Sequence, residues 1–97
     1  MPTFVVLASF TDQGIRNVKE TIGRAESFKQ MAAMAGIKVK SIYWTLGRHD
    51  LVAICDVPED EDATALSLSV SSRGNIRCET LRAFSFEEMK KIIAKMV

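Results

Sequence analysis

A chain of 97 residues is about the size of one domain, and at that length folding buries only somewhat over half of the surface the unfolded chain exposes. Hydrophobic content of 47% with 26% charge excludes intrinsic disorder, and a net charge of +1 gives no electrostatic reason to expect nucleic acid or an anionic membrane. No apolar run approaches ~18 residues and no charged segment leads into an apolar core, so the expectation is a cytoplasmic protein with neither membrane span nor signal peptide.

Thr3 to Phe10 is a near-continuous apolar run of strand length, and Thr11-Asp12 after it are good N-cap residues. A helix is therefore expected from near Gln13. Ile15, Val18, Ile22, Ala25, Phe28, Ala32 and Ala35 recur at steps of three and four, a stripe that ends at Gly36, with a kink expected at Gly23. Ile37 to Leu46 reads as a second strand, Gly47 opens a turn, and Asp50 to Val57 returns as a third strand. Pro58 and the acidic run Glu59 to Asp62 suit the start of a helix. Leu66-Ser67-Leu68-Ser69-Val70 alternates with period two, yet Ala63, Leu66 and Val70 also mark one helical face; helix is preferred because a parallel return strand needs a crossover of about a dozen residues. Ile76 to Phe84 is the fourth strand, and Ser85 with Glu88 forms a capping box for a last helix that should turn Met89, Ile92, Ile93 and Met96 inward.

The order βαββαβα folds most simply as an α+β, ferredoxin-like sandwich over residues 1–97, with a four-stranded antiparallel sheet in the order 4-1-3-2. The first and third strands are apolar on both faces, as central strands are, whereas Lys38, Lys40, Arg77, Glu79 and Arg82 sit on the second and fourth, as at sheet edges. With both main helices on one side, the other face stays open to water. A second copy of the chain is expected to cover it; the competing arrangement folds the C-terminal helix back over that face. Cys55 and Cys78 lie on strands separated by the first strand, about two strand spacings or roughly 9 to 10 Å, so both thiols should be free.

Three segments carry a resemblance. Phe10 to Lys19, Leu46 to Val52 and Gly74 to Phe84 resemble the GYD domain family, and the match spans nearly the whole chain. The resemblance implies a dimeric α/β barrel in which two ferredoxin-like sheets face each other, with a biochemical role that is largely unassigned. Where the family name places a Tyr, before the Asp of the hairpin turn, this chain has His49.

His49 has two readings. As a functional group it is a proton acceptor that titrates near neutral pH, with Asp50 to orient it and Arg48 to hold an anion. As a structural group, the preferred reading, it fills the place of an aromatic turn residue. Adjacent strand residues point to opposite faces, which argues against a His49–Asp50 dyad and puts Tyr43 and Trp44 on opposite sides of the second strand, one of them able to line a ligand space. Arg82, among apolar neighbours on its strand, is either an inward charge that binds an anion or pairs across an interface, or a side chain that snorkels to solvent.

Leu51 to Cys55 has no aromatic pair to stack RNA bases, and one histidine without a ligand cluster supplies no metal cage, so neither nucleic acid, metal nor cofactor is expected. Two functions remain. One is a small homo-oligomeric α/β-barrel protein that binds a small metabolite or a protein partner. The other is a cofactor-independent oxygenase- or isomerase-like enzyme with His49 as proton acceptor.

Overall fold

A computed structural model describes residues Met1–Val97. Strand β1 (Thr3–Phe10) leads into a short helix α1 (Asp12–Arg16), a 3-10 turn (Val18–Glu20) and helix α2 (Thr21–Met34). Strands β2 (Lys38–Trp44) and β3 (Leu51–Asp56) follow, then α3 (Asp60–Ser71), β4 (Ile76–Ala83) and α4 (Phe86–Ala94). The sheet order is β2-β3-β1-β4, which is the expected 4-1-3-2 read from the other edge, and every adjacent pair is antiparallel.

Register assigns the two faces. Phe4, Val6, Ala8 and Phe10 share one face with Ala53 and Cys55, their partners across β1·β3, and with Arg82, Thr80, Cys78 and Ile76 across β1·β4. Helices α2 and α3 cover this face. The fully enclosed core is built largely from small side chains, Ala8, Ala32, Ala53, Cys55, Val57 and Ala63, with Phe4, Ile37 and Leu66 as its larger members. On the opposite face, Val5, Leu7, Val52, Ile54 and Leu81 form an apolar patch with Tyr43 at its margin and no element of this chain over it. A bulge between Val39 and Ser41, which strand periodicity alone does not reveal, keeps both ends of β2 in phase with β3.

Three sequence expectations meet the structure here, and two are corrected. The first long helix breaks at Asn17 rather than at Gly23: the Asn17 amide side chain donates to the Gln13 carbonyl at 3.0 Å, as Asn does when it competes with the helical ladder, and the 3-10 turn follows. Its early stripe therefore faces water, with Ile15 and Ile22 more than half exposed. The 66–70 segment is helical, as preferred. Finally, the α4 capping box forms as expected, but of Met89, Ile92, Ile93 and Met96 only Ile92 is partly buried: α4 meets β4 through the Arg82–Glu88 pair without packing broadly on the sheet or the other helices, and Met89 and Ile93 remain about half exposed, Phe86 still more. The C-terminal helix does not fold back over the open face.

Candidate functional site

The three segments that carry the family resemblance meet at the end of β1. Thr11 N–H donates to the Asn75 carbonyl at 3.0 Å, and the Gln13 amide donates to the Arg73 carbonyl at 3.2 Å and to Asn75 Oδ1 at 3.0 Å, so the first segment is tied to the 73–75 turn. Thr11 Oγ1 caps α1 by accepting from Gly14 N–H at 3.1 Å. Gly14 is required there: a Cβ on it would lie 1.9 Å from the Asn75 carbonyl oxygen.

The 45–50 turn is fastened to the same strand end. Asp50 N–H donates to the Ala8 carbonyl at 2.8 Å and its Oδ2 accepts from Phe10 N–H at 2.8 Å, so the Asp50 carboxylate extends the β1 ladder rather than orienting His49. Thr45 closes the turn from the other side, its N–H bonding the Asp50 carbonyl at 2.8 Å and its hydroxyl the His49 carbonyl at 2.6 Å. Gly47, at φ 121°, supplies the left-handed backbone between them. The half-buried His49 ring lies with Nδ1 3.4 Å from Ser9 Oγ, while that hydroxyl donates to the Arg48 carbonyl at 3.0 Å. The Arg48 side chain is exposed and enters no ion pair.

The remaining site candidates are spread over both faces. Tyr43, paired with Val52, stands on the open face, and Trp44, paired with Leu51, stands on the helix side with its indole N–H donating to Thr21 Oγ1 at 3.0 Å. Trp44 borders a cleft of about 170 Å³ with Ile22, Glu26 and Lys29. Arg82 stacks over Phe84 at 4.4 Å and Phe4 at 5.8 Å, reaches Glu88 at 3.4 Å, and donates to the Ala83 carbonyl, so its charge is spent within its own chain. The Glu88 carboxyl is held below the usual range chiefly by the Ser85 N–H that it accepts, with the Ser85 hydroxyl and Arg82 adding to it. Both cysteines are free, as the strand order required. Burial pushes the Cys55 thiol up to about 11, with Asp56 contributing, and burial likewise raises Cys78.

Two features escaped sequence reasoning. One is a cavity of about 310 Å³ between the sheet and helices α2 and α3, lined by 18 residues of which 11 are hydrophobic. Its signal was present as small residues at inner positions, Ala8, Ala25 and Ala53, which leave room where larger side chains would fill it. The other is the free amphipathic α4.

The model of the GYD domain matches residues 4–93. The chain belongs to the GYD domain family. A curated relative, the glutamine synthetase and cystathionine beta-lyase binding protein of Thermus thermophilus, is 28% identical over 90 residues, covering 92% of this chain and 95% of the relative. Among solved structures, an ACT domain protein from Streptococcus pneumoniae superposes with a TM-score of 0.53 at 16% identity, over 100% of this chain and 98% of that one, a likeness of fold. With the family established, the convergence of its three segments on the end of β1 reads as the joint that holds this fold together: most of the hydrogen bonds there satisfy backbone groups at a strand end, a turn or the start of α1.

Proposed function

We propose that this GYD protein is a non-catalytic binding module that associates with itself through the open sheet face and engages a protein partner in the cytoplasm, where its two thiols stay reduced. The observation that carries the reading is the unfinished side of the molecule. Val5, Leu7, Val52, Ile54 and Leu81 form a half-buried apolar patch that no helix of the chain covers, and α4 carries apolar side chains that remain largely exposed. A contiguous apolar face of this kind marks a protein interface on a soluble protein. Two sheets packed face to face bury such patches at about 10 Å spacing, and α4 of each protomer then has a second body to lie against. The name of the Thermus relative, a binding protein for two enzymes, supports a protein partner over a free metabolite.

The test is a titration of the purified protein with the glutamine synthetase and cystathionine beta-lyase of its own organism. Saturable binding to either enzyme, lost in Met89→Asp Ile93→Asp but retained in His49→Tyr, is the expected result. No binding to either by a protein that is folded and self-associated removes the partner reading.

A second reading has one observation in its favour, the Ser9 hydroxyl within 3.4 Å of His49 Nδ1. It takes His49 as proton acceptor of a small enzyme, with Arg48 to hold an anionic substrate. His49→Tyr exchanges an imidazole for a phenol of pKa ~10 and would abolish such turnover at neutral pH while leaving the fold intact. Unchanged turnover in His49→Tyr ends this reading.

A further inference from the structure

The cavity beneath α2 and α3 is separate from the open sheet face and from His49, so what it holds is independent of the partner-binding reading. Its floor is the helix side of the sheet, its walls are Phe28 and Met31 of α2 and Val70 of α3, and it extends to Arg73 and Asn75 of the 73–75 turn. The sheet offers Ala8 and Ala53 and helix α2 offers Ala25 and Gly23, so the layers meet over small side chains and the space between them stays open. An apolar cavity of about 150 Å³ takes a benzene, and ligand sites begin near about 300 Å³. At about 310 Å³ this cavity has room for a medium-chain or two-ring apolar body.

The rim is charged with one sign in excess. Arg24 and Arg73 both border the cavity, and neither has a carboxylate within ion-pairing distance. Arg24 is held by the Gly14 carbonyl at 3.2 Å and by the Phe10 ring at 5.9 Å, and the Arg73 guanidinium has the Met31 sulfur, at 3.4 Å, as its hydrogen-bond partner. Glu20 is on the same rim, so the surplus is one positive charge. Asn75 adds an amide side chain, part of whose oxygen capacity is already used by Gln13. From this arrangement we infer that the cavity is a binding site for an apolar monocarboxylate, whose body fills the space between sheet and helices and whose carboxylate is held at the mouth by the guanidinium groups of Arg24 and Arg73. A guanidinium meets a carboxylate with two parallel N–H donors, which is why a single anionic head suffices. The apolar walls set the other half of the specificity, since a polar tail would leave its hydrogen bonds unmade there.

The test is isothermal calorimetry of the full chain with decanoate, decanol and decyltrimethylammonium. Decanoate is expected to bind saturably, decanol more weakly and decyltrimethylammonium most weakly of the three. Arg24→Gln Arg73→Gln should weaken decanoate by about tenfold or more, the loss of one charge-assisted hydrogen bond or two, while leaving decanol unchanged. Ala25→Leu, which places a larger side chain in the cavity, should weaken both. Amide shift perturbations in the wild-type protein give a readout that does not depend on any variant folding: they are expected at Phe28, Val70 and Ile76. Perturbations centred on Val5, Leu7 and Ile54 would assign decanoate to the open face and overturn the inference, as would absence of decanoate binding or equal affinity for the cationic detergent.

Discussion

The two faces of one sheet are built from the same four strands and end in different conditions. Phe4, Ala8, Ala53 and Cys55 on the helix side are enclosed by α2 and α3, whereas Val5, Leu7, Val52 and Ile54, their immediate neighbours in sequence, are only half covered. Strand alternation sends successive side chains to opposite faces, so an apolar central strand necessarily supplies both. A chain of this length has helices for one face only. The apolar content of β1 and β3 thus exceeds what α2 and α3 cover, and that surplus is the physical basis of the proposed self-association.

Substitutions on the two faces should separate these roles. Phe4→Ala removes an enclosed ring that also supports Arg82, and should cost about 3–5 kcal/mol of unfolding free energy in denaturant titration. Leu7→Lys on the other face should leave far-UV circular dichroism unchanged at high dilution and act on self-association instead; a loss of fold as large as that of Phe4→Ala would erase the distinction between the faces. Glycine replacements probe the strand end. In Gly14→Ala the new methyl meets the Asn75 carbonyl, and the expected loss is about 1–3 kcal/mol. Gly23→Ala, in a helix with nothing within 4 Å, should instead gain up to about 1 kcal/mol. Asp50→Ala leaves Phe10 N–H without its acceptor and should cost about 1–2 kcal/mol, visible in the same titrations.

The smallest effect is in the thiols. An ordinary thiol ionises near pH ~8.5, while burial holds Cys55 protonated up to about 11. Because the folded value is raised above the unfolded one, the unfolded chain releases its proton first. The stabilisation is complete below the unfolded value and is lost as the pH rises through that window to about 11. Alkylation at about pH 8, below the ordinary thiol value, should therefore be slow at Cys55 in the native protein and rapid in denaturant. Fast native labelling at Cys55 would show that the helix-covered face opens more readily than its burial implies.

Much of this was legible in the sequence. Strand order, the capping box at Ser85, the acidic start of α3 and the separation of the cysteines all rest on local patterns whose periods and turn residues agree with one another. The outcomes at Asn17 and α4 were not, for different reasons. The break at Asn17 joins a local cause, the Asn17 side chain bonding the Gln13 carbonyl, to a tertiary joint that pins the first turn of α1 through Gly14 and Gln13 to the 73–75 turn, and a stripe of apolar spacing reports neither. For α4, amphipathic spacing correctly shows that one face seeks apolar cover, but it does not say whose. The site was legible in part: Tyr43 and Trp44 do fall on opposite faces, but Asp50 and Arg82 are engaged in backbone bonds and an intrachain ion pair. The cavity arises from small residues at inner positions, Ala8, Ala25 and Ala53, a signal that shows room only once the elements carrying them are known to face one another.

Sedimentation equilibrium of the wild-type chain and of Leu7→Lys at micromolar concentration tests most directly whether surplus apolar surface drives association. The wild type is expected at no less than twice the 10.8 kDa monomer mass, and Leu7→Lys at the monomer mass. A wild-type chain that sediments as a stable, folded monomer would contradict that origin of association.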